Sequence, residues 1–162
     1  MTTYLFPGSF DPFTRGHRDI ARRASKVCDK LYVTVMHNDA KSHVFTSEER
    51  VYMAKESLKD YPNIEVLCSD GLLVDVFREK KCDAVVRGIR SETDFRYEAE
   101  MALANRLLYS DYEVVLLPCR DDLSLISSSI VKEVGYYGGD ISKMVPSEIV
   151  DFVSEKLKKG RN

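Results

Sequence analysis

Tyr4-Leu5-Phe6-Pro7-Gly8-Ser9-Phe10-Asp11-Pro12-Phe13-Thr14-Arg15-Gly16-His17 is the stretch whose reading decides the fold. Tyr4 to Phe6 is a short apolar run with strand character, closed by the turn formers Pro7 and Gly8. A helical pattern starts at about His17 and runs to Val27. The stretch is therefore a strand, a loop and a helix. The loop carries glycines at 8 and 16 but has neither G-x-G-x-x-G nor G-x-x-x-x-G-K-[ST], which excludes a dinucleotide fingerprint and a P-loop.

The same unit recurs along the chain. Apolar, β-branched runs at Lys30–Met36, Ile64–Cys68, Asp83–Val86 and Tyr112–Leu117 predict four more strands. Helical patterns lie between and after them. One begins near Thr46, where Thr46-Ser47-Glu48-Glu49 has capping-box spacing, and runs to about Lys59. Others cover Leu72 to Lys80, about Glu92 to Tyr109, Ser127 to about Tyr136, and Ser147 to about Lys159. In the long one, Tyr97, Met101, Ala104 and Leu108 share a helix face. Strand–helix alternation implies an α/β protein with a doubly wound, five-stranded parallel sheet, strands covered on both faces, and C-terminal helices. Ligands of such sheets sit beyond the carboxyl ends of the strands, where strand order reverses.

Composition bounds the rest. At roughly 150 residues per domain, 162 residues make one domain, 1–162, with a C-terminal helix at about 147–159. The chain is 44% hydrophobic and 31% charged, as for a folded protein rather than a disordered one. With 24 Lys+Arg against 26 Asp+Glu, no global field attracts nucleic acid or an anionic membrane, so neither is an expected partner. No apolar run is long enough for a membrane span, and the N-terminus shows no secretory pattern. Cys28, Cys68, Cys82 and Cys119 are far apart with no CxxC pair, so they read as buried, reduced thiols of a cytoplasmic protein, with no zinc site.

Four polar segments follow strands. His17 falls in a first helical turn, where free N–H groups and the helix dipole favour an anion; a solvent-exposed histidine at a helix start is the alternative. Lys41 lies in His37-Asn38-Asp39-Ala40-Lys41-Ser42-His43, either as a phosphate ligand or simply solvated, and the two histidines there are ordinary polar residues. Arg87-Gly88-Ile89-Arg90 offers two forks for phosphate oxygens directly after a strand, unless the acidic Ser91-to-Glu98 segment pairs them instead. Ser127, Ser128 and Ser129 put three hydroxyls at a helix start, more than one N-cap requires. No GxSxG elbow exists, so nucleophilic serine chemistry is not supported. The set suits chemistry in which the protein positions phosphates and neutralises charge.

At these residues the chain resembles a known superfamily. Thr14-Arg15-Gly16-His17 resembles the [TH]xGH signature of adenylyl- and cytidylyltransferases, and Ile126-Ser127-Ser128-Ser129 resembles their serine-rich motif. The likeness narrows through Pro-Gly-Ser-Phe-Asp-Pro at 7–12, Phe45-Thr46-Ser47-Glu48-Glu49-Arg50, Arg87-Gly88-Ile89-Arg90, Asp94-Phe95 with Tyr97-Glu98, and residues 126–134. In that order these resemble the bacterial phosphopantetheine adenylyltransferase family, over nearly the whole chain to about Leu157.

The resemblance implies a Rossmann-like nucleotidylyltransferase fold and reversible transfer of AMP from ATP to 4′-phosphopantetheine. The products would be dephospho-coenzyme A and pyrophosphate, with Mg²⁺ assisting and no protein metal ligands required. It implies catalytic roles for His17, Lys41 and Arg90. ATP would meet Ser9, Phe10, His17, Gly88, Ile89, Arg90 and Glu98, and also the run Leu123, Ser124, Leu125, Ile126, Ser127, Ser128 and Ser129. The acceptor would meet Ser9, Lys41, Leu73 and Arg87. Many family members carry Thr where Ser9 stands, and an aromatic where Leu123 stands. The family also implies a homohexamer of two stacked trimers and inhibition by coenzyme A. Two other readings stay open: a sister transferase using nicotinamide mononucleotide or glycerol phosphate, and a non-catalytic sensor of adenine nucleotide or coenzyme A.

Overall fold

Strands β1 (Thr3–Gly8), β2 (Lys30–Met36), β3 (Ile64–Ser69), β4 (Ala84–Ile89) and β5 (Val114–Pro118) pair in parallel throughout a computed structural model that describes residues 1–160. The last two positions of the expected domain, 161 and 162, lie outside the described residues. Strand order is β3-β2-β1-β4-β5. The winding therefore reverses between β1 and β4.

The intervening helices are α1 (Arg15–Ser25), α2 (Ser47–Leu58), α3 (Leu73–Glu79), α4 (Glu92–Leu108), α5 (Ser128–Tyr136) and α6 (Val150–Lys159), with single 3-10 turns before α5 and α6. Side-chain oxygens set several helix starts. Thr14 and Thr46 each close a capping box, and Ser91 and Ser127 each accept a backbone N–H of the first turn.

Alternation along the strands sends neighbours to opposite faces. Phe6 and Val86 join Val33, Val35, Phe13, Met53, Val131, Ile149 and Val153 under α1, α2, α5 and α6. Leu5 and Val85 join Val74, Phe77 and Tyr112 under α3. A side chain at Gly135 of α5 would collide with Leu157 of α6, so a glycine lets those two helices close.

The structure corrects four expectations. β1 does not end at Phe6; it continues through Pro7 and Gly8, paired with Thr34 and Val35 of β2. β4 takes in Arg87, Gly88 and Ile89, placed after the strand by the sequence because a charged residue and a glycine interrupt the apolar run; they lie half-buried at the strand's open end. α4 buries no residue, and Tyr97, Met101, Ala104 and Leu108 are exposed. The sheet is thus well covered on one face and only partly on the other. Of the cysteines read as buried only Cys82 is; Cys28 and Cys119 are half-buried and Cys68 is exposed on edge strand β3, and all four are free thiols. Among the described residues no helix is long and apolar enough to cross a membrane.

Candidate active site

β1 and β4 pair only at Tyr4–Ala84 and Leu5–Val85, although both strands run on for three or four residues. They part at the point where the winding reverses. A hollow of about 420 Å³ opens there, between the ends of these strands and the starts of α1 and α5. A second, of about 210 Å³, adjoins it on the side of Lys41 and Leu73.

The loop after β1 is held by its own aromatic packing. Phe10 is buried with φ +52°, a left-handed conformation that costs energy for a residue with a Cβ. Its ring packs against Phe6, Phe13 and His17 at centroid distances of 5.4, 5.2 and 5.0 Å. A Cβ at Gly8 would come within 2.8 Å of that ring, so the fold-back requires glycine. By contrast, a Cβ at Gly16 would make only ordinary contact with Thr14. The space beside Gly16 belongs to the hollow, not to a tight backbone crossing.

His17 is half-buried rather than solvent-exposed, and it is not free. The Thr14 N–H donates to its Nδ1 at 3.0 Å while its own N–H donates to Thr14 Oγ1 at 3.2 Å, which completes the capping box of α1. An accepting Nδ1 leaves the proton on Nε2. Burial, reinforced by the charges of Arg87 and Arg90, pushes the imidazole pKa from 6.5 down to about 4. At neutral pH this ring is an uncharged hydrogen-bond donor facing the first hollow. The first turns of both α1 and α5 lack acidic residues, so two positive helix ends converge on that hollow with no carboxylate of their own turns beside them.

The arginines are paired by the acidic segment, the alternative left open above. Arg87 Nε donates to Glu98 Oε1 at 3.0 Å, and Nη1 donates to the Pro7 carbonyl at 2.9 Å. This pair borders both hollows. Arg90 Nε lies 3.5 Å from Asp94 Oδ2 and its Nη1 donates to the Ser124 carbonyl at 3.3 Å. Both pairs are partly open to water, so each is a modest interaction that a phosphate can replace.

Of the serines, Ser127 caps α5 and Ser128 Oγ donates to the Pro12 carbonyl at 2.9 Å; both also border the first hollow. Ser9, Phe10, His17, Gly88, Arg90, Glu98, Leu123 and Ile126 border it too. Ile89, Ser124, Leu125 and Ser129 do not, although Ser124 touches Arg90 through its carbonyl. Ser9, Lys41, Leu73 and Arg87 all border the second hollow. Among the described residues no cluster of three or more His, Cys, Asp or Glu has metal-binding geometry.

Three residues that organise these walls stand inside the motifs quoted above but had no role assigned to them from the sequence. Buried Asp11 accepts the N–H groups of Val44 and Phe45 at 3.1 and 2.9 Å, and Lys132 of α5 lies 3.3 Å from its Oδ2. It ties the first loop to the Lys41 loop and to α5. Arg50 of α2 is fully buried beneath Ser9. A buried cation inside a helical pattern looks like any solvated arginine until the fold is known.

A strand-order reversal, a histidine locked in the capping box of α1 and two adjoining hollows lined by cations define a nucleotidyltransferase, and comparison with known proteins agrees. The cytidylyltransferase-like family matches residues 5–134. The chain belongs more narrowly to the phosphopantetheine adenylyltransferase family: relatives of that name from Clostridium botulinum (strain Langeland) and Alkaliphilus metalliredigens are 46% and 44% identical to it. They match over 97% and 96% of this chain and 96% and 99% of their own. A Vibrio parahaemolyticus structure assigned provisionally as a nicotinate-nucleotide adenylyltransferase shares the fold, with a TM-score of 0.68 and 18% identity over 98% of this chain and 93% of its own.

Proposed function

We propose that this nucleotidyltransferase moves the adenylyl group of ATP to the phosphate of 4′-phosphopantetheine, making dephospho-coenzyme A and pyrophosphate in coenzyme A biosynthesis. The observation that carries the reading is the sharing of one wall, Arg87 with Glu98, by a larger hollow holding His17 and a smaller one holding Lys41. ATP occupies the first and the acceptor the second.

In the reaction an acceptor phosphate oxygen bonds to the α-phosphorus while the bond from that phosphorus to the bridging oxygen breaks, and pyrophosphate leaves. No side chain is consumed, and a phosphate nucleophile needs no base. Two polyanions meeting in a site sheltered from water repel by several kcal/mol unless cations intervene. Lys41 neutralises the incoming phosphate. Arg90 exchanges Asp94 for the β- and γ-phosphates. The starts of α1 and α5 supply N–H dipoles. His17, uncharged, donates from Nε2 to an α-phosphate oxygen, where charge builds in the transition state.

Mg²⁺ keeps most of its waters and takes substrate phosphates as ligands, so no carboxylate cage is needed. In this site the ion would travel with the triphosphate and shield its charge. Leu107, Leu103, Leu108 and Phe95 lie exposed on α4, which supports burial of that helix between copies in a homohexamer. A cytoplasmic location and inhibition by coenzyme A, a product-like molecule for the same hollows, complete the proposal.

Pyrophosphate release with ATP and a panel of acceptors tests it. Turnover is expected with 4′-phosphopantetheine and not with nicotinamide mononucleotide or glycerol phosphate. Turnover confined to another acceptor, or nucleotide binding without turnover, overturns it.

A further inference from the structure

Arg50 is the one fully buried arginine of the described chain, and it has no carboxylate within ion-pair distance there. Its fork is spent on uncharged groups. Nη1 donates to the carbonyls of Ser9, at 2.9 Å, and Met36, at 3.1 Å. Nη2 donates to His37 Nδ1, at 3.0 Å, and lies 3.3 Å from Ser47 Oγ. Only Nε has no partner.

These acceptors come from three segments: the loop after β1, the end of β2 with its exit into the Lys41 loop, and the first turn of α2. Ser9 and Met36 both border the smaller hollow. Because Nδ1 of His37 accepts from the guanidinium, Nε2 carries the proton and donates to exposed Asp39 of the same loop at 2.8 Å. A buried cation with no counter-ion is costly, and helix propensity alone would be served by many residues.

We infer that Arg50 is a positioning residue of the acceptor subsite. It locks the Ser9 carbonyl and the root of the Lys41 loop into one geometry, so that the hydroxyl of Ser9 and the ammonium of Lys41 face the same acceptor phosphate. Arg50 does not touch substrate. A lysine in its place keeps the charge but cannot span four acceptors.

The inference rests on the acceptor assignment above, and the experiment separates the two. Steady-state kinetics of the full-length enzyme are measured with each substrate varied, for wild type, Arg50→Lys, His37→Ala and Leu58→Ala. Leu58 is buried at the far end of α2, so its truncation lowers Tm without touching the fork. The expected result for Arg50→Lys is an acceptor KM raised about tenfold, as for the loss of hydrogen bonds from a charged group, with the ATP KM within about twofold. His37→Ala, which leaves the guanidinium in place, raises the acceptor KM by a smaller factor and serves should Arg50→Lys not fold. Leu58→Ala shifts Tm alone.

An acceptor KM unchanged in the folded Arg50→Lys enzyme, or in His37→Ala if that is the enzyme that folds, overturns the inference. So does an equal rise in Leu58→Ala. A wild-type enzyme that does not turn over phosphopantetheine overturns the acceptor assignment instead.

Discussion

Ser9 and His17 are held by groups that no substrate replaces, whereas Arg87 and Arg90 are held by carboxylates that a phosphate can replace. On the first wall, Thr14, Arg50 and the packed rings of Phe10 and Phe13 fix the donors before any ligand arrives. On the second, Glu98 and Asp94 stand in for the anion. The packing behind the walls differs in the same sense. α1 and α2 bury residues in the larger core cluster, while α4, which carries Glu98 and Asp94, buries none. A rigid wall lowers the cost of organising the transition state, and an exchangeable wall keeps two arginines from repelling each other in the free enzyme.

Four measurements break or sharpen that contrast. The largest difference is in stability: Met53→Ala, in the core behind the first wall, should cost about 2–5 kcal/mol of unfolding free energy, and Leu107→Ala, 89% exposed on α4, less than about 0.5 kcal/mol in a monomer. Chemical denaturation at low protein concentration measures both. Similar losses would erase the contrast, while a Leu107→Ala loss that grows with protein concentration would show α4 covered by another copy.

Next comes His17→Ala, which should lower kcat by about 10²-fold or more while the protein stays folded, because a preset donor to the developing charge is gone. Unchanged kcat would remove His17 from the reaction. Arg90→Ala should raise the ATP KM by about tenfold with a smaller change in kcat. Asp94→Ala, which frees Arg90 from its stand-in, should leave that KM the same or lower; a rise would mean that Asp94 serves the nucleotide directly.

The smallest effect is a pH dependence. The folded pKa of His17 is about 4 against 6.5 unfolded, so the unfolded chain binds the extra proton first as pH falls. The stability this group contributes is fully present above 6.5 and is lost between 6.5 and 4. His17→Gln can still close the capping box but does not titrate. Thermal unfolding across that range should show wild type losing Tm faster than His17→Gln, and parallel slopes would contradict a ring held neutral in the folded protein.

Much of the fold was legible because the strands are short apolar runs and four of the six α-helix starts carry a capping hydroxyl at the right spacing; Thr46 with Glu49 is the clearest case, while α3 and α6 start without one. The positions of the site loops followed from strand ends in a parallel sheet. What could not be read depended on distant partners. Arg87 to Ile89 looked like a loop because only pairing with Leu116 to Pro118 of β5 makes them strand. His17 looked half free because its cap partner is a backbone N–H. The apolar stripe on α4 has helical period but faces outward, and period says nothing about direction. Arg50 and Asp11 stand in motifs the sequence displays, but what they hold is legible only once three segments meet.

Arg87 and Glu98 have one face on each hollow, so on the proposed assignment the two reactants would read the same charge pair. An anion that draws the guanidinium toward itself loosens the carboxylate for its neighbour, and the trade is felt in both directions by the same factor. Affinity for either reactant is then a property of the occupied pair, and saturating with one is expected to rescale the other's apparent affinity.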